Sequence, residues 1–96
     1  MISKHLVGIA GEFAVASELC RRGVNTQVTF GNRKKIDILV DKGNKYPRIQ
    51  VKSKQGRSWP GCRGVSGDDI LVLVDYQKKD GVERPDFYLL TAEDWV

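Results

Sequence analysis

The sequence predicts an α/β fold: a single domain, residues 1–96, in which one amino-terminal helix packs on a mixed central sheet of about five strands. Three observations carry this. Apolar residues recur at spacings of three and four between Lys4 and Arg22, which is a helical period. Short alternating segments follow at 24–30, 34–40 and 49–54, which is the period of a half-buried strand. A nearly continuous apolar run, Ile70 to Tyr76, has the form of a strand covered on both faces.

Ser3 can cap the helix, and Leu6, Ile9, Ala10, Phe13, Ala16, Ser17 and Cys20 describe one stripe along it, the expected buried face. Arg21 and Arg22 suit the negative end of the helix dipole, and Gly23 can adopt the left-handed conformation that stops a helix. Glu12 falls at the border of the stripe, with Gly8, Gly11 and Ala16 leaving the surface around it nearly bare. Glu18 falls further round, on the face expected to be solvated.

Val24 to Phe30 reads as a first strand, with Val24, Thr26, Val28 and Phe30 on one face, and Gly31-Asn32 as a turn. In Lys34 to Val40, Ile36, Ile38 and Val40 form an apolar face opposite Lys35, Asp37 and Leu39. In the next segment Ile49, Val51 and Ser53 oppose Gln50, Lys52 and Lys54. If Asp41 to Lys45 closes a hairpin between these two strands, Asp37, Gln50 and Lys52 converge on one side. Four glycines and Pro60 make Gly56 to Gly67 an irregular loop, which carries Arg57, Trp59 and Arg63. Ile70 to Tyr76 is the expected central strand, Lys78 to Gly81 a polar turn, and Phe87 to Leu90 a strand pairing back. Thr91 to Asp94 resembles a helix start.

Charge narrows the function classes. The net charge is +4, but residues 30–65 hold ten basic side chains against two acidic ones, leaving the remainder with a net charge of −4. Such a concentration suits a polyanion-binding surface. No run approaches the roughly 18 apolar residues of a membrane span, and the amphipathic start is not a secretory signal, so the expected location is cytoplasmic. Cys20, Cys62 and His5 lack the spacing of a zinc site or a thiol nucleophile. Cys20 is expected to be a buried small residue at the helix end, and Cys62 a loop thiol.

Gly11-Glu12 with Glu18-Leu19 and Gly23 on the helix, then Ile36-Asp37-Ile38, then Gln50-Val51-Lys52-Ser53, resemble the PD-(D/E)XK nuclease superfamily. They are most similar to its Holliday-junction resolvase-like and Mrr-like branches. The resemblance covers about residues 5 to 55 and extends more loosely through the last two strands. It implies a restriction-endonuclease-like core and metal-dependent cleavage of DNA, with structure-specific substrates among those the branch takes. Gln50 stands where the family usually has a second carboxylate, a QxK variant like that of Mrr-like members. The helix that usually follows the third strand is replaced by the Gly56 to Gly67 loop.

The residue types suit that chemistry. Phosphodiester hydrolysis needs the phosphorane's charge neutralised and a water deprotonated, and Mg²⁺ or Mn²⁺ serves both. Asp37 would be the central ligand, with the Gln50 side-chain oxygen, the Val51 backbone carbonyl and Glu12 completing the set; Lys52 would activate or orient the water. Arg33, Lys34, Lys35, Lys54, Arg57, Trp59 and Arg63 are the candidate nucleic-acid contacts, gripping backbone without reading sequence. DNA is the expected partner and RNA the related one. A catalytically inactive nucleic-acid-binding module on the same fold is the alternative, and a protein-interaction domain using the basic hairpin a third reading. The small core raises homodimerisation as a further expectation.

Overall fold

A computed structural model of the chain describes residues 2–30, 36–59, 67 and 69–91, with Phe30, Ile36 and Asp37 described through their backbone alone. Helix α1 (Lys4–Arg21) is followed by β1 (Thr26–Phe30), β2 (Ile36–Val40), β3 (Arg48–Lys54), β4 (Ile70–Asp75) and β5 (Asp86–Thr91). The five strands form one sheet in sequential order, β1-β2-β3-β4-β5. Every neighbouring pair is antiparallel except β3 and β4, which are parallel and joined by the crossover 55–69. This is the α/β architecture the sequence predicts, with the helix laid on a mixed five-stranded sheet.

Local chemistry sets the boundaries. The Ser3 hydroxyl accepts from the Leu6 N–H at 3.2 Å, satisfying one of the helix's open amino-terminal donors. At the other end Gly23 takes φ +82°, a left-handed conformation that costs glycine little, and the helix stops. In the β2–β3 hairpin the Asp41 side chain accepts from the Gly43 N–H at 2.9 Å, with Gly43 at φ +85°. Asp41 also ties the hairpin to the start of β1, its N–H donating to the Asn25 carbonyl at 2.9 Å. Between β4 and β5, the Asp80 carboxylate accepts from the N–H groups of Val82 and Glu83.

The core lies between α1 and the sheet. Val15 and Ala16 of the helix pack with Ile38, Val40, Ile49, Val72 and Val74, all nearly inaccessible to solvent. Leu71, on the opposite face of β4, is also fully buried, so this strand is covered on both sides as its apolar run predicts. Tyr76 packs against the core, and burial raises its phenol above the ordinary pKa of 10.0.

The helix meets the sheet with the face opposite to the expected one. Val7, Gly11, Val15 and Ala16 are buried, whereas Leu6 and Phe13 are about half exposed, and Ala10, Ser17 and Cys20 are exposed. Of the expected stripe, only Ala16 is buried and Ile9 partly so. The cause is a close approach. Gly11 rests on Ser53 of β3 so tightly that a Cβ there would overlap the Ser53 hydroxyl, and the bulkier Leu6/Phe13 side could not come so near. Cys20 is accordingly an exposed free thiol, not a buried one.

Glu18 is likewise displaced from its expected role. Its carboxylate, one-fifth exposed, bridges Arg22 at 3.1 Å on the helix and Arg84 at 2.6 Å in the turn before β5. The hydrogen bond from Arg22 is the largest influence on its pKa; desolvation opposes it, and the charges of Arg84 and Arg22 add to it, so that the carboxyl is held below the ordinary 4.5.

Candidate nucleic-acid and metal site

The site sits where β2 and β3 part. These strands pair at Leu39↔Arg48 and Ile38↔Ile49. Among the described residues the pairing ends there, while β3 runs on to Lys54 beside β4. Continued by one position, the register sets residue 37 opposite Gln50, at the mouth of a fork between the strands.

Backbone hydrogen bonds fix what β3 presents to that fork. Val40 N–H donates to the Pro47 carbonyl at 3.1 Å, and Tyr76 N–H donates to the Lys54 carbonyl at 2.8 Å. Because successive residues of a strand direct their backbone groups alternately to its two neighbours, the odd-numbered residues 47, 49, 51 and 53 face β2. The even-numbered 50, 52 and 54 face β4. Val51 lies beyond the last β2–β3 pair, so its carbonyl is directed into the fork.

The side chains alternate in the perpendicular direction. Ile49, Val51 and Ser53 turn toward α1, as the core and the Gly11 contact require. Gln50, Lys52 and Lys54 therefore lie on the other face of β3, each partly buried. Glu12, also partly buried, follows Gly11 at the point where helix and strand touch, and it is engaged by a neighbour.

A groove of about 600 Å³ runs from the first turns of α1 along the end of β3 to the segment after it. Lys4, Gly8, Lys52, Arg57, Ser58 and Trp59 are among its walls, and no carboxylate among the described residues lines it. Three cations, Lys4, Lys52 and Arg57, thus share one concavity with an indole, and Lys54 lines it as a fourth. Nothing in the sequence marks Lys4 as a site residue, whereas Gly8 and Gly11 mark a bare helix edge beside Glu12.

Lys54 has a different environment. Its side chain is only 9% exposed, and its ammonium stands 3.7 Å from the Asp75 carboxylate. It donates to the Gln77 side-chain oxygen and to the Arg57 carbonyl, each at 3.3 Å, and lies 4.7 Å from the centroid of the Trp59 ring. Those contacts commit the cation to fixing the segment 55–59 against the end of the sheet.

Of the other candidates, Arg33, Lys34, Lys35 and Arg63 lie outside the described residues, as does the Asp37 side chain. No three His, Cys, Asp or Glu side chains gather into a metal cluster among the described residues. The donors offered at the fork, the Val51 carbonyl directed into it and the Gln50 amide beside residue 37, are oxygen groups of the kind a hard divalent cation takes.

Comparison of the chain with protein-family models, with curated proteins and with solved structures gave no match.

Proposed function

We propose that this chain is a metal-dependent endonuclease hydrolysing DNA phosphodiester bonds. The observation that carries the reading is the fork: the β2–β3 pairing ends at Ile38↔Ile49, one position short of residue 37 and Gln50, Val51 directs its carbonyl beyond that last pair, and Lys52 follows on the wall of a basic groove. Asp37, Gln50, Val51 and Glu12 would hold Mg²⁺ or Mn²⁺, which when bound neutralises phosphoryl charge and renders a water nucleophilic. The Lys52 ammonium orients the attacking water and stabilises the negative charge that grows on the phosphorane. Lys4 and Arg57 hold the phosphate backbone in the groove, giving affinity that is independent of sequence. Lys54 serves the same surface by fixing Trp59.

The test is cleavage of duplex, single-stranded and branched DNA, with RNA alongside, in Mg²⁺ or Mn²⁺. Activity is expected in the wild type and its loss in Asp37→Ala and Lys52→Ala. The reading fails if no substrate is cut, or if both variants cut as well as the wild type.

Gln50 favours one second reading, a nucleic-acid-binding module without catalysis, because a neutral amide binds a divalent cation more weakly than a carboxylate. Salt-sensitive DNA binding, with neither cleavage nor metal uptake in calorimetry, would select it.

A further inference from the structure

The nuclease reading leaves open which form of DNA the groove accepts, and Trp59 bears on that choice. The indole is half-buried and lines the groove, with the Lys54 ammonium 4.7 Å from its centroid. Lys54 is itself tied to Asp75, Gln77 and the Arg57 backbone, so the ring is braced by a cation with little freedom to move. The groove also receives Lys4, Lys52 and Arg57, and Gly8 puts no side chain into it. A Cβ on Gly8 would meet nothing within 4 Å.

An aromatic platform beside three cations matches the two chemical parts of an unpaired nucleotide, a π-face and a phosphate. Bases inside a continuous duplex have both faces covered by their neighbours, whereas an unpaired base can stack on an aromatic side chain whatever its identity. Resting on the nuclease reading, we infer that the groove takes a strand with an unpaired base stacked on Trp59, so that the DNA recognised is single-stranded or carries a single-stranded arm. Lys52 and Arg57 then meet the phosphates flanking that base.

The experiment uses the full chain with Trp95→Phe, which leaves Trp59 as the tryptophan reporter, in chelated buffer so that no strand is cut. Oligodeoxythymidine, a blunt duplex, and the same duplex with an unpaired tail are titrated while fluorescence is followed. Single-stranded and tailed DNA are expected to quench Trp59 and to bind about tenfold or more tightly than the blunt duplex. Trp59→Leu, which keeps apolar bulk without a π-face, is expected to lose that preference, and Trp59→Phe to retain most of it, both read by the anisotropy of dye-labelled DNA because they lack the indole reporter. Gly8→Leu supplies a second route: it fills the groove from a position with open space and should weaken single-strand binding while the circular dichroism stays that of the wild type.

Equal binding of blunt duplex, unchanged by Trp59→Leu, overturns the inference; if Asp37-dependent cleavage persists in the same preparations, the nuclease reading stands without it. Absence of binding to all three DNAs at low salt overturns the inference, and if cleavage is also absent once Mg²⁺ or Mn²⁺ is restored the nuclease reading falls with it.

Discussion

Gly11 of α1 lies directly against Ser53 of β3, with no room between them for a single methyl group. The Ser53 hydroxyl is buried there without a hydrogen-bond partner among the described residues. This contact selects the helix face that meets the sheet and thereby sets Gly8 beside the groove along the end of β3.

Two glycines one turn apart should respond oppositely to alanine. Gly8→Ala meets open space and should stabilise the helix by about 0.5–1 kcal/mol through propensity alone. Gly11→Ala gains the same propensity but must separate helix from strand, so a net loss of roughly 1–3 kcal/mol is expected. Ser53→Ala should be close to neutral, since the hydroxyl it removes has no partner. Urea denaturation of the single variants, with a Gly11→Ala/Ser53→Gly double mutant showing positive coupling, checks the contact.

The reversed helix face gives a second test. Val15 is 2% exposed and Phe13 is 48% exposed. Val15→Ala should therefore cost about 2 kcal/mol, and Phe13→Gln should stay within roughly 0.5 kcal/mol of wild type. The opposite ranking in thermal unfolding would place the Leu6/Phe13 stripe on the sheet after all.

The pH dependence of Glu18 has a determined sign. Its folded pKa is depressed by Arg22 first and Arg84 next, so the carboxylate contributes stability above its ordinary value of 4.5, lost as pH falls through the lowered folded value. The melting temperature of wild type should exceed that of Glu18→Gln near neutral pH, with the gap closing in strong acid. Added salt should narrow the gap too, because both arginines are largely exposed.

Lys54 and Arg57 are neighbours with separable roles. Arg57 is exposed on the groove, and Arg57→Ala should flatten the slope of log affinity against log salt by about 0.7 for single-stranded DNA. Lys54→Ala should leave Asp75 without its cation and cost roughly 2–3 kcal/mol of stability. A salt slope reduced by Lys54→Gln as much as by Arg57→Ala would reverse that division.

What the sequence discloses depends on how local the determinant is. Ser3 and Gly23 mark the helix ends because caps act on adjacent backbone, and the strands show in their period of two. The pairing of Ile38 with Ile49 follows from the turn chemistry of Asp41 and Gly43. The buried face of α1 was not legible, because both sides carry apolar residues and the choice is made by Gly11 and Ser53, 42 positions apart. The same holds for Glu18, whose partner Arg84 lies 66 positions on. In the candidate site, Gln50 and Lys52 stand out by their spacing and Gly8 by the bare helix edge it makes, whereas the place of Lys4 and the confinement of Lys54 arise only when the segment after β3 meets the helix.

The single parallel ladder also bears on how the chain assembles. β2 and β3 meet across residues only 9 positions apart, and β4 and β5 begin pairing at 11, but every β3–β4 partner is separated by 21. The three-strand meander and the carboxy-terminal hairpin can each close over short loops; joining them requires the costlier closure. The β3 end of the groove is thus shaped at the seam between two locally folding halves, and substitutions along Val51–Val72 and Ser53–Val74 should slow refolding more than equally destabilising changes in either hairpin.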